Sequence, residues 1–339
     1  MPKRVFIFVA LCSLCASHAA SAAPRLDTIL KRGFLACGIE PQVPGFAEVD
    51  AQGRHRGFDI DVCRAIAAAV FGTADKVRFI PVANAADFLK SDEIDVVSRR
   101  LTWELRREGA LPLLFGPITF YDGQGFLVSK SLNAQMIRQL SGVDVCVAGG
   151  TNFEFNAGSY FQTHQLALKK VVLESAGDFQ AIAAALAKGK CRVYTADVSE
   201  LAAIRSLLPK PADFAILDEH ISREPLAPLV RHDDPHWFVI VRWTILALIH
   251  AEELGVTSAN VDDMRKNGSV DVQRLLGVVA GNGKALALRE SWAYDAIKAV
   301  GNYGEMFEKN IGRGSRIGLN RGLNRLARDG GLMYAPPLR

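Results

Sequence analysis

The chain has 339 residues, 49% of them hydrophobic and 22% charged, a balance that supports a buried core and favours two domains over one. Its formal net charge of +4 includes Lys3 and Arg4 of an N-terminal leader, so the remainder carries about +2 (4 minus 2). That small excess excludes a strongly basic nucleic-acid binder.

The first 22 residues read as a secretory signal peptide: Lys3 and Arg4, an apolar stretch from Val5 to Cys15, then Ala20-Ser21-Ala22 in the A-x-A form of a cleavage site. The stretch is too short to span a bilayer, and neither Cys12 nor Cys15 follows the small residue that lipid attachment needs. A soluble, exported mature protein is expected. Export leaves Cys37, Cys63, Cys146 and Cys191 in a compartment that permits disulfides, with three possible connectivities. Their positions favour one bridge within each lobe, Cys37 with Cys63 and Cys146 with Cys191, over free buried thiols. A zinc site would want C-x-x-C knuckles.

Residues 34–39 read as a strand and 58–70 as a helix, with Asp59 as N-cap, Val62, Ile66 and Ala69 at helical spacing, and Gly72 as a left-handed stop. KVRFIPV is the next strand. AADFLKSDEIDVVS then gives a short helix, a turn and a strand, whose far end is crowded by Arg99, Arg100, Arg106 and Arg107. FGPITFYDGQGFLVSK is a glycine-punctuated crossing between lobes. A second lobe opens with VDVCVAGG, Thr151 and a helix, and repeats the helix, turn and strand in DFQAIAAALAKGKCRVYTAD, ending at Asp197.

ISREPLAPLVRHDD returns as extended chain because Pro225 and Pro228 forbid helix. WFVIVRWTILALIHAEEL reads as a strand passing into a core helix, its flanking charges ruling out a membrane span. Helices follow, and RGSRIGLNRGLNRLAR reads as a solvated helix face. The β-α-β-α-β grammar predicts an α/β fold with parallel-rich sheets. We assign residues 23–124 and 226–339 to lobe 1 and 125–225 to lobe 2.

Open α/β sheets bind ligands outside the carboxyl ends of their strands. Two such lobes face to face set cations against a carboxylate, the complement of a zwitterion. Arg107 lies five residues after Thr102, and its planar fork suits a carboxylate; the same arginine in a basic run also fits plain solvation. Asp197 is equally a helix N-cap for the VSELAAI that follows. Gly149-Gly150-Thr151-Asn152 forms a small anion cradle before a helix. GVVAGNGKAL has the wrong glycine spacing for a phosphate loop, with Ala285 in place of the hydroxyl. Pro235 interrupts the metal-like His232, Asp233, Asp234 and His236. No G-x-S-x-G elbow or nucleophile pairing appears, so no cofactor, metal or catalytic residue is expected.

These residues together resemble the periplasmic solute-binding proteins of polar amino-acid ABC transporters, the bacterial extracellular solute-binding protein family 3, and within it the general L-amino-acid branch. The likeness runs from FLACGI to the terminal YAPPLR, through GFDIDVCRAIAAAVFG, EIDVVS followed by TW, YDGQGFLV, CRVYTAD, ISREPLAPLVR, HAEELGVTSANVD and WAYDAIKAVGNYGEMFEKN. It implies a two-lobed, hinged type II periplasmic-binding-protein fold that closes as a monomer on one L-amino acid and delivers it to an inner-membrane ABC permease. Carried onto this chain, Arg107 with Thr102 grips the α-carboxylate, Asp197 takes the α-ammonium, and Gly150 and Thr151 add carboxylate contacts. Glu40 is placed to read a side chain.

This chain departs from the family at Arg100 and Leu101, at Ala148, and at Asn152; Val43 and Pro44 replace an aromatic lid. Arg100 in the cleft would give an excess of positive charge and favour an acidic side chain, with Glu40 working against it. Two rivals accompany the binding-module reading: an exported, dehydratase-like enzyme on the same scaffold, and a sensor without transport.

Overall fold

A computed structural model describes residues 25–174 and 177–339, and the signal-peptide expectation lies outside them. Leu35–Ile39 is buried along its whole length, as a central parallel strand must be when both faces are covered. It pairs in parallel with Val77–Pro81 on one side and Val96–Val97 on the other; Leu229–Arg231 and Leu113–Phe115 then add antiparallel to complete five strands.

A second sheet of five uses the same plan. Asp144–Ala148 is flanked in parallel by Lys169–Leu173 and Val193–Asp197, and Gln124–Ser129 and Phe214–Ile216 add antiparallel. In each sheet the first local strand sits between the second and third, and the fourth position is filled by a strand arriving from a crossing. The crossings are themselves strands: Phe120–Asp122 pairs antiparallel with Glu224–Leu226, Asp122 opposite Glu224. This two-stranded ribbon holds the sheets so that the carboxyl ends of their parallel strands meet.

The Phe58–Phe71 helix is buried on nearly every face, against Trp292–Val300 and Pro235–Glu253. Gly57, at φ 132°, precedes it without a side-chain cap, because a Cβ there would stand 2.1 Å from the Phe46 carbonyl oxygen. Asp59 is therefore not the expected N-cap. It turns into the interior and accepts a hydrogen bond from Ser98 Oγ at 2.7 Å. Gly72 is left-handed, φ 79°, as expected. The structure joins Cys37 to Cys63 and Cys146 to Cys191, one bridge per sheet layer.

Two other expectations change. Residues from Trp237 onward form no strand; Pro235–Glu253 is one helix of 19 residues, started by Asp234, whose carboxylate accepts from Trp237 N–H at 2.8 Å, with Pro235 at the first position. Asp234 thus has a capping role in place of a metal-ligand role. The stretch 313–328 is mostly turns with short 3₁₀ segments, not a solvated helix: Ile317, Leu319 and Leu326 are buried, and Arg321 makes a two-pronged bond to Glu252 at 3.0 and 3.1 Å. In the glycine-rich 277–286 region, the Glu290 carboxylate fills the nest of N–H groups from Gly281, Gly283 and Lys284.

Candidate functional site

Arg100 follows the Val96–Val97 strand with φ 54°, a left-handed conformation that costs a side-chain-bearing residue roughly 1–2 kcal/mol. Its guanidinium spans the cleft. Nη2 donates to Glu40 Oε2 at 3.0 Å in the first lobe, and Nη1 to Ser199 Oγ at 3.4 Å in the second. The rings of Phe46 and Phe179, one from each side, lie 5.6 Å from it. Arg99 Nη2 approaches the same Glu40 oxygen at 3.3 Å. Both arginines keep a buried Nε without a partner.

Asp197 ends the Val193–Asp197 strand and occupies the N-cap position of the Val198–Leu207 helix, yet its side chain caps nothing. Its Oδ1 is buried with no hydrogen-bond partner. Burial raises its pKa well above the ordinary carboxylate value; the Asp122, Glu224 and Glu200 carboxylates add to the rise and Arg100 opposes it. Asp122 is itself buried and raised, although it accepts from the backbone N–H groups of Gly123 (2.9 Å) and Ser199 (3.3 Å). Glu200, three residues beyond Asp197, is pushed up to about 7 by burial, despite Arg100 and a bond from Tyr194 Oη at 3.1 Å. Burial likewise lifts Asp59 to about 6.

Arg107 sits in the short Leu105–Ala110 helix with its side chain 30% exposed. Nη1 donates to the Thr102 carbonyl at 2.8 Å and Nε lies 3.3 Å from Glu104. Thr102 is pinned to the crossing ribbon: its hydroxyl donates to Glu224 at 2.8 Å, and the next N–H, of Trp103, donates to the Pro225 carbonyl at 2.8 Å. Thr151 caps the Asn152–Thr163 helix and donates to the Ala148 carbonyl at 2.7 Å. Gly150 N–H is already taken by Glu154 at 2.9 Å, so part of the anion cradle is filled from within. Asn152 is exposed.

The structure therefore brings Arg100, Glu40 and Asp197 together and couples Arg107 to Thr102, while Thr151 has only local hydrogen bonds. An inward Arg100 does not stand as an unpaired cation, since Glu40 accepts from it at 3.0 Å and lies 3.3 Å from Arg99 as well. Sequence reasoning missed Asp122, Ser199, Glu200 and Glu224. Glu200 had a visible signal, because helical spacing of three places it beside Asp197; Asp122 and Glu224 become neighbours only through the ribbon register.

Beyond Glu40 the cleft widens into a cavity of about 770 Å³ between the lobes, walled on one side by residues including Val43 and Pro44 and on the other by Phe179 and Leu207.

Two α/β lobes on a paired crossing, with arginines of one facing a carboxylate of the other, define a type II periplasmic binding protein. The chain belongs to the bacterial extracellular solute-binding proteins, family 3, whose model matches residues 35–313. It is 46% identical to the general L-amino acid-binding periplasmic protein AapJ of Rhizobium johnstonii, over 96% of this chain and 96% of that one. It is 44% identical to the glutamate/glutamine/aspartate/asparagine-binding protein BztA of Rhodobacter capsulatus, over 100% of both chains. Among solved structures it matches an ABC transporter periplasmic binding protein from Brucella ovis with glutathione bound, at a TM-score of 0.85 and 42% identity, over 94% of this chain and 100% of that one.

Proposed function

We propose that this protein, exported by its N-terminal signal peptide, binds a free L-amino acid end in the cleft between its lobes and hands the ligand to an ABC permease. The observation that carries the reading is the set of unpaired groups at the junction: Asp197 Oδ1 on one lobe, and the Nε groups of Arg99 and Arg100 on the other. Buried polar groups are normally satisfied, and each orphan costs about 1–3 kcal/mol. An α-ammonium on Asp197 and acceptor atoms toward the arginines relieve all three. Arg107, with Thr102 holding its other edge, is assigned to the α-carboxylate, and Thr151 and Asn152 to the outer rim of the site.

The relatives support a shared head group. AapJ is named for L-amino acids and BztA for glutamate, glutamine, aspartate and asparagine, while glutathione carries a γ-linked glutamate whose α-ammonium and α-carboxylate are free. The enzyme reading would need a free acid or base in the cleft beyond the grip on the zwitterion, and Glu40 Oε2 is held by both arginines. Calorimetric titration of unfolded and refolded, ligand-stripped protein against the twenty L-amino acids tests the proposal. Saturable binding with one-to-one stoichiometry is expected, and no heat with any of them would refute it.

A further inference from the structure

We infer that the cavity beyond Glu40 is the second half of the ligand site, built for the extension of side-chain-linked amino-acid conjugates, and of γ-glutamyl peptides in particular. The inference rests on the amino-acid-binding reading above and names its substrate class.

The size comes first. A cavity of about 770 Å³ lies in the range of roughly 300–1,000 Å³ that holds drug-sized ligands, and it exceeds what a single amino-acid side chain fills. Its position comes next. Glu40 is common to both halves: it lines the cavity and pairs with Arg99 and Arg100 at the head-group end, and Phe179 both stacks on Arg100 and lines the cavity. A ligand gripped by Asp197 and Arg107 thus points its side chain past these residues into the wider space.

The junction selects a neutral acceptor. The buried Nε groups of Arg99 and Arg100 need an acceptor, but Glu40 already sets one negative charge against the Nη2 groups of both and repels a second. An amide carbonyl satisfies the donors without adding charge, which a glutamine-type side chain supplies. The walls beyond are suited to peptide groups. Gln42 and Gln180 offer amides from opposite lobes, and His55 has a buried Nδ1 without a partner. The charged groups are largely spent: Glu48 pairs with Arg316, and Asp178 caps its helix by accepting from Ala181 N–H. The head-group grip needs both α charges, so the extension must leave through the side chain. An ordinary α-linked peptide uses up the carboxylate that Arg107 requires.

The test is calorimetric competition on the stripped, full-length mature protein with L-glutamine, γ-glutamylglycine, γ-glutamylalanylglycine and α-glutamylglycine. The γ-linked peptides should bind at least tenfold more tightly than glutamine, and α-glutamylglycine should not compete. Leu207→Trp and, from the facing lobe, Val49→Trp should each fill the cavity and erase the γ-linked advantage, leaving glutamine within twofold of wild type. Equal affinity for glutamine and γ-glutamylglycine overturns the inference while leaving amino-acid binding intact. So does competition by α-glutamylglycine equal to that of its γ isomer, or a γ-linked advantage that persists in both tryptophan variants. Absence of binding by glutamine and by every other amino acid overturns the underlying reading instead.

Discussion

Replacing Asp197 by asparagine separates the two roles its sequence position allows. As an N-cap, asparagine serves as well as aspartate and even alanine costs about 0.5–2 kcal/mol of stability. The structure shows no cap bond from Asp197, and its charge is opposed by Asp122, Glu224 and Glu200. The empty protein should therefore unfold at the same temperature or slightly higher in Asp197→Asn, since a neutral amide relieves that repulsion. Binding should suffer. Removing one partner of a buried charge pair costs about 3–5 kcal/mol, and the wild-type carboxylate gives back part of this because it must ionise against its acidic neighbours. A net loss of about 3 kcal/mol corresponds to roughly 150-fold in affinity at 1.36 kcal/mol per decade. Calorimetry at pH 7.5 with the best ligand of the wild type, beside scanning calorimetry of the empty proteins, reads both quantities. Affinity within fivefold of wild type, or a large drop in unfolding temperature, would refute the reasoning.

Arg107→Ala should weaken binding by about 2–4 kcal/mol, and Arg107→Lys should not restore it, because an ammonium cannot hold the Thr102 carbonyl and a ligand carboxylate with one planar fork; isothermal titration of both variants checks this. Affinity should rise as pH climbs above the ordinary carboxylate range, with protons released on binding, since the ammonium needs Asp197 ionised while burial raises its pKa; titrations in buffers of different ionisation enthalpy measure the release. For the empty protein the sign is opposite. The raised pKa values of Asp59, about 6, and Glu200, about 7, contribute stability that is complete below the unfolded-state values and is lost as pH rises through the folded ones, so its unfolding temperature should fall between pH 5 and 8. Ligand should also shift a hinge equilibrium about the Phe120–Asp122 and Glu224–Leu226 ribbon, and small-angle scattering should show a smaller radius of gyration at saturation; an unchanged radius with confirmed binding contradicts the hinge.

Much of this architecture is legible in the chain because its strands end on a change of character. The apolar run into Asp197 and the Val-Val pair before Arg99 mark strand ends, and strand ends mark the cleft. The Pro235–Glu253 helix is not legible in the same way. It is buried through most of its length, which erases the helical periodicity of its apolar residues, and its Val, Ile, Trp and Thr content favours strands. The Asp234-Pro235 start was the available clue. Arginines at helical intervals in 313–328 misled for the opposite reason, since spacing does not show that Arg321 is claimed by Glu252 from a distant helix. At the site, spacing alone left Arg107 between solvation and binding and Asp197 between capping and binding; the buried oxygen of Asp197, which caps nothing and has no partner, is the observation on which the proposed binding role rests. The acidic surroundings of Arg100 depend on three separate segments meeting at the ribbon, which no local pattern records.

The most direct test of a zwitterion grip is to remove the ligand's charges one at a time. Titration of the stripped protein with L-glutamine, its N-acetyl derivative and its α-amide should give binding by glutamine alone, each blocked derivative being weaker by at least a hundredfold. Retention of near-native affinity by either derivative would contradict the assignment of Asp197 to the ammonium or of Arg107 to the carboxylate.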